Sequence, residues 1–458
     1  MLRSFSLFLL FTAALAAAPC DLIVTAKFVV TMDGARRVIE NGAIAVTGER
    51  IVAVGTRADI DKAWQPKRRL DRPDALVAPG LVNTHTHAAM SLFRGIADDL
   101  KLQDWLEKFI FPAEAKNVTA DFVRAGTRLA ALEMLLSGTT TFVDMYYFEE
   151  VVAEVAKQAG IRGVLGETII GFPVADAKTP ADALAYAEKF IQRYQHDSLV
   201  TPAVAPHAIY TNSDADLKSA RALANKYKVP LLIHVSETKK ENEDLFKKRK
   251  LTPVGLLDSL GVLDGTTVAA HCVWLTPEDR AILLKKGVGI AHNPSSNMKL
   301  ASGAAPIVDF LARGIHVGLG TDGPAGSNND FDMFEEIDLA SKLQKLVTNN
   351  PEALPAKQAF AMATIEGAIV AGLGKDIGSL ETGKRADLIT IDLSAPNAVP
   401  MFDVYSQLVS ALKGSNVIDV VINGRTVVKD KKCLTLDQKT VIAKAREYGA
   451  AVAKSLGK

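Results

Sequence analysis

Between residues 80 and 375 the chain repeats one pattern eight times: a short apolar run rich in β-branched residues, then a longer segment with apolar residues at helical spacing. The runs are 81–87, 139–146, 162–168, 199–206, 230–237, 267–273, 288–293 and 316–322. Segments such as Phe122 to Leu136 and Asp216 to Tyr227 supply the helices between them, and Met333 to Leu346 and Ala356 to Ala371 follow the last run. Eight consecutive βα units predict an α/β fold with a (β/α)8 TIM barrel. An open doubly wound sheet is the alternative arrangement of the same units.

Both ends of the chain have a different texture. Residues 19–79 contain short β-rich runs separated by Asp33-Gly34, Asn41-Gly42 and Thr47-Gly48. Residues 386–391 and 417–428 look the same, with Asn423-Gly424 as a hairpin signal. The expected organisation is a barrel over 80–375 and a smaller β-sandwich domain built from 19–79 and 376–458, the latter ending in a helix. Residues 1–18 read as a signal peptide. Arg3 precedes an apolar stretch, Phe5 to Leu15, and small residues follow it. The expected destination is therefore secreted or periplasmic. Pro19 weighs against lipidation of Cys20, and Cys20, Cys272 and Cys433 are too few for a disulfide framework.

In a barrel the reactive groups collect at the C-terminal ends of the strands. Six of the eight histidines fall there: His85, His87, His207, His234, His271 and His292. His85 and His87 are two apart, so on a strand both side chains point the same way. The last run ends in Thr321-Asp322-Gly323, and Glu237 lies three residues beyond His234. His85, His87, His234 and Asp322 are the expected ligands of one divalent metal ion, zinc ahead of iron(II), with room for a water. No lysine stands at the end of the fourth run to bridge a second metal. His271 orients the nucleophile in this reading, Asp322 takes a proton, and Glu237 donates one to the substrate. His292 is the weakest of these six. His316 begins its run rather than ending it and reads as structural, and His196 reads as solvated loop.

The chain resembles the amidohydrolase superfamily in its mononuclear deaminase and chlorohydrolase branch. The resemblance rests on PGLVNTHTH at 79–87, SGTTTFVDM at 137–145, HVSE at 234–237, AHCVWL at 270–275, NPSSNMKLASG at 293–303, GTDG at 320–323 and GKRADL at 383–388. Within the branch it is most similar to 5-methylthioadenosine/S-adenosylhomocysteine deaminases. The resemblance places the same four metal ligands and gives proton handling to Glu237, His271 and Asp322. It also implies substrate contacts: Trp105 facing the base, Glu114 accepting from ribose hydroxyls, and His207 in the pocket. The arginine it would set against a homocysteine carboxylate has no match, since 163–192 contains no Arg. That favours an uncharged 5′ substituent lined by Phe172 and Pro173, with Lys178 the nearest alternative cation.

The implied activity is that of an aminohydrolase acting on carbon–nitrogen bonds in cyclic amidines, here a purine nucleoside such as 5′-methylthioadenosine, adenosine or S-adenosylhomocysteine. Another heterocycle at the same site (guanine or oxidised guanine, a pterin, a chloro-s-triazine) stays open, as does a metal-binding protein without catalysis. The partner is a small heterocycle. A net charge of +1 offers no footprint for nucleic acid, and no membrane-spanning segment is expected in the mature chain. The sequence leaves open whether the chain is a monomer or a homo-oligomer.

Overall fold

The computed structural model describes residues 17–457, so the expected leader lies outside the described residues as far as residue 16. The first part of the chain forms β1 (Ala18–Val30), β2 (Val38–Thr47), β3 (Arg50–Thr56) and β4 (Trp64–Pro79). The middle forms β5 (Leu81–Thr86), β6 (Thr139–Tyr146), β7 (Arg162–Ile169), β8 (Val200–Pro206), β9 (Leu231–Val235), β10 (Thr267–His271), β11 (Gly289–His292) and β12 (Val317–Leu319). The last part adds β13 (Leu388–Asp392), β14 (Val417–Ile422), β15 (Arg425–Lys429) and β16 (Lys432–Cys433).

Strands β5 to β12 pair in sequence order, every pair parallel. The ring closes where Thr86 bridges Asp322 in parallel. This is the (β/α)8 barrel, not the open sheet. Its strands read as continuous apolar runs because helices cover them outside and side chains fill them inside. Val82, Val143, Val164, Ala203, Leu232 and Ala291 share the inner core. The helices outside carry their own start and stop chemistry. Ser213 with Asp216 and Thr276 with Asp279 form capping boxes, and Gly160 and Gly287 end helices in the left-handed conformation. The helix expected over 356–371 is two, Ala356–Met362 and Ile365–Val370, interrupted at Thr364.

The chain ends build one further eight-stranded sheet, in the order β16-β15-β14-β13-β4-β1-β2-β3. Ile44 of β2 and Val421 of β14 lie far apart in that order yet share one apolar core, so the sheet folds over on itself as a sandwich. A buried ion pair fastens it to the barrel. Arg162, at the start of β7, donates from Nη2 to Asp387 Oδ2 at 2.9 Å and also bonds Asn423. Removing one partner of such a pair strands a charge and costs about 3–5 kcal/mol. The C-terminal helix Gln438–Ser455 packs on the barrel helix Ala120–Leu136, with Phe122 and Tyr448 rings 5.7 Å apart. No helix among the described residues is long and apolar enough to cross a membrane.

Candidate active site

Several barrel strands stop short of the runs seen in the sequence, and they stop at the residues of interest. Ser236, His271, Cys272 and Asp322 all take positive φ, at 51°, 70°, 49° and 63°. Non-glycine residues pay on the order of 1–3 kcal/mol for such backbone, which persists only where the surroundings hold it. Here it ends β9 and β10 and sets Asp322 three residues past β12, and the side chains of His271 and Asp322 line the space above the barrel. Gly320 makes this possible beside β5, since a Cβ there would meet the His85 amide at 2.7 Å and Asn293 Oδ1 at 2.6 Å. Asp322 can then donate its own amide to the His85 carbonyl at 2.9 Å.

Four expected residues converge at this closure. The His85 ring lies 4.9 Å from both His87 and His234, centroid to centroid. Asp322 Oδ1 stands 3.4 Å from His85 Nε2 and 3.3 Å from His87 Nε2. Two donors each roughly 2.0–2.2 Å from a tetrahedral zinc ion are about 3.4 Å apart, so the spacing fits one cation. The far ring nitrogens are already engaged. His87 Nδ1 donates to the Met145 carbonyl and His234 Nδ1 to the His207 carbonyl, both at 2.7 Å, which turns each Nε2 into the cluster. Burial works against protonation of His87, but the contact with Asp322 outweighs it and raises the imidazole to about 9, so a bound cation would displace the Nε2 proton. His85 Nε2 is buried without a hydrogen-bond partner. Burial pushes the His85 imidazole down to about 4 and His234 well below its ordinary value, so both are neutral donors. Burial works against ionisation of Asp322, but the contacts with His85 and His87 outweigh it and hold the carboxyl well below the usual range.

Glu237 and His271 flank this group. Both are buried, and Glu237 Oε2 lies 3.8 Å from His271 Nε2. Burial raises the Glu237 carboxyl above its ordinary pKa, which favours a held proton. Its backbone amide donates to Glu241 Oε2 at 2.9 Å. On the other side of the His271 ring, Nδ1 meets Asn297 Oδ1 at 3.0 Å and Asn293 Nδ2 at 3.3 Å.

Above these groups opens a cleft of about 570 Å³ lined by His87, Trp105, Glu114, His207, Glu237 and His271, among others. One wall is a continuous run of helical turns, Leu102–Trp105, a π turn at Leu106–Ile110, and Phe111–Asn117. Trp105 is locked by its Nε1, which donates to the Ala325 carbonyl at 3.0 Å. Gly326, with φ of 122°, keeps that contact open, since a Cβ there would press on Trp105 Nε1. Glu114 is buried and accepts from Tyr146 Oη at 2.7 Å and from Tyr147 Oη at 3.5 Å. Burial raises its carboxyl to about 7. His207 leans on His234, ring centroids 4.8 Å apart, and burial lowers its pKa to about 3.

A second cavity of about 590 Å³ shares Phe111, Glu114 and Tyr147 with the first and continues past Phe172, Pro173 and Val174. Neither lining contains Lys or Arg. His292 is buried but lines neither space, and His316 pairs with Glu366. The reading of the sequence missed Tyr146, Tyr147, Ser296, Asn297, Glu241 and Tyr210, the last of which lines the first cleft. Only Glu241 had a visible signal, as the third helical residue after Thr238, which caps that helix.

The amidohydrolase family profile matches residues 76–427, which takes in the whole barrel and these strand ends. The chain belongs to the amidohydrolase family. This amidohydrolase is 45% identical over 425 residues to the 5-methylthioadenosine/S-adenosylhomocysteine deaminase of Thermodesulfovibrio yellowstonii, covering 92% of this chain and 97% of the relative. It is 41% identical over 431 residues to the 5′-deoxyadenosine deaminase of Methanosarcina mazei, covering 93% and 97%. Among solved structures it is similar to an adenosine deaminase from Xanthomonas campestris with bound zinc, at 39% identity and a TM-score of 0.94, covering 96% of this chain and 100% of that one. The amidohydrolase site has the donor set for a single divalent metal ion.

Proposed function

We propose that this amidohydrolase is a zinc-dependent hydrolytic deaminase of purine nucleosides, such as 5′-methylthioadenosine, adenosine or S-adenosylhomocysteine, and that it releases ammonia. The observation that carries the reading is Glu237, a buried carboxyl beside four convergent donors at the floor of a largely apolar cleft. The names of the relatives and the zinc in the neighbouring structure support the substrate class and the metal.

The roles follow from the atoms. His85, His87, His234 and Asp322 hold the metal. A divalent metal there lowers the pKa of a water and supplies hydroxide near neutral pH. Glu237 takes the proton that the water gives up and passes it to ring N1, which drains electron density from C6 as the new C6–O bond forms. Asp322 takes the proton of the added oxygen, and His271 orients that oxygen through Nε2. The proton passes to the amino nitrogen, the C6–N bond breaks, and ammonia leaves with a 6-oxo ring behind it. Trp105 closes over the base, His207 borders it, and Glu114 accepts from ribose hydroxyls. The apolar walls exclude water that would compete for these contacts.

Ammonia release from the three nucleosides by zinc-loaded protein tests this reading, together with loss of the adenine chromophore. Turnover of at least one is expected. No turnover of any of them, with ammonia released instead from guanine or a pterin, overturns the substrate class.

A further inference from the structure

We infer that the first turn of the short helix Pro294–Lys299, with Asn293 at its N-cap and anchored by Glu336, is a positioning element that selects which oxygen of Asp322 faces the histidines and sets the orientation of His271. This rests on the proposed metal-dependent reading. A carboxylate can turn either oxygen toward its ligands, and here one is taken. Ser296 Oγ donates to Asp322 Oδ2 at 2.7 Å, so Oδ1 alone faces His85 and His87. The Gly323 amide reaches the same Oδ1 at 2.7 Å. Ser296 is fully buried, so water cannot substitute for its hydroxyl. One residue on, Asn297 Oδ1 takes the far side of the His271 ring at 3.0 Å. Groups contributed by β10 and by the loop after β12 are thus aligned from a single turn.

The turn is itself held. Ser295 donates to Glu336 through both its amide, at 3.2 Å, and its hydroxyl. Asn328 Nδ2 reaches Glu336 Oε1 at 3.3 Å and the Thr321 carbonyl at 3.0 Å. Glu336, buried on the helix Met333–Thr348, therefore ties the turn to the residue preceding Asp322. Outer partners of this kind fix ligand orientation, and their loss typically costs roughly 10–100-fold in metal affinity or activity.

The test uses the full chain with zinc and cobalt(II) as probes. In competition with a chromophoric chelator, Ser296→Ala should weaken metal binding roughly 10–100-fold. The visible spectrum of the cobalt form should shift with it, while far-UV circular dichroism of the metal-free chain shows the fold retained. Ser296→Thr keeps the hydroxyl and should restore both. Asn297→Ala should leave metal affinity unchanged and lower kcat without raising KM, because His271 stands outside the four donors. Glu336→Ala removes the side chain that holds Ser295 and Asn328 and should weaken both. Wild-type affinity and an unshifted cobalt spectrum in Ser296→Ala overturn the inference. A wild-type chain that holds no metal overturns the proposed function instead, so the two failures are distinct.

Discussion

Glu237 Oε2 and His271 Nε2 face each other across 3.8 Å. That is too wide for a direct hydrogen bond and narrow enough for one reacting atom to touch both. The two groups come from different strands, and the His271 ring nitrogen itself lies within 4.8 Å of those of His85 and His234. Glu237→Gln keeps the shape and removes the proton. It should retain fold and metal while losing about two to four decades of kcat. Turnover near that of the wild type would remove Glu237 from proton transfer.

His85→Ala, His87→Ala, His234→Ala and Asp322→Ala each delete one donor from a site whose groups are buried apart from the half-buried His87. Each should lose most of its metal and nearly all turnover, and the wild type should hold about one metal per chain. Elemental analysis checks the count. Two tightly held metals per chain would contradict the single site.

The barrel, and the gathering of histidines at its strand ends, were legible because both write themselves in residue types. Strand and helix periods differ, and histidines at strand ends have no packing reason to gather. Tyr146 and Tyr147 were not legible as partners of Glu114. Tyr146 ends β6 and Tyr147 follows it, and only the fold brings the helical segment of Glu114 to their hydroxyls. Ser296 was hidden for a similar reason: a serine in a loop motif is ordinary until its neighbour across 26 positions proves to be Asp322. The true strand ends were obscured by the left-handed residues at 236, 271 and 322, which no propensity favours.

Glu114 supplies a pH signature. Burial raises its carboxyl from 4.5 to about 7, so the folded state keeps the proton longer than the unfolded chain. Its contribution is fully present below the unfolded value and is lost as pH rises through about 7. Glu114→Gln is neutral throughout. Relative to that variant the wild type should lose on the order of 2–3 kcal/mol between pH 4.5 and pH 7.5, measured by urea denaturation of the metal-free protein at each pH. A constant difference across the range would show that Glu114 carries no such shift.

The leader remains a proposal from residues 1–18. Protein recovered from its native host should begin between Ala17 and Cys20, close to where β1 starts. Cleavage there removes the apolar stretch after Arg3 and leaves Cys20 buried in the sheet. N-terminal sequencing that finds intact Met1 on soluble cytoplasmic protein would overturn export.

Selection at the 5′ position follows from the lining of the second cavity. It opens from the cleft past Glu114 and Tyr147, where a ribose held by Glu114 would present its 5′ group. Its walls are Phe111, Phe172, Pro173 and Val174, and no Lys or Arg lines it. A methylthio group gains apolar contact there and asks for nothing else. A homocysteine tail brings a carboxylate that must shed water without gaining a cation, and an unpaired desolvated charge is costly. Lys178 is exposed and outside the lining, so it would have to swing in from its loop to help. Methylthioadenosine and adenosine should therefore show kcat/KM at least equal to that of S-adenosylhomocysteine. Phe172→Ala should raise KM for methylthioadenosine more than for adenosine, because only the former reaches the cavity with its substituent. Phe172→Arg should reverse the order by supplying the missing charge. A wild-type preference for S-adenosylhomocysteine would mean that a cation does reach the tail, and Lys178→Ala would then show whether it is that one.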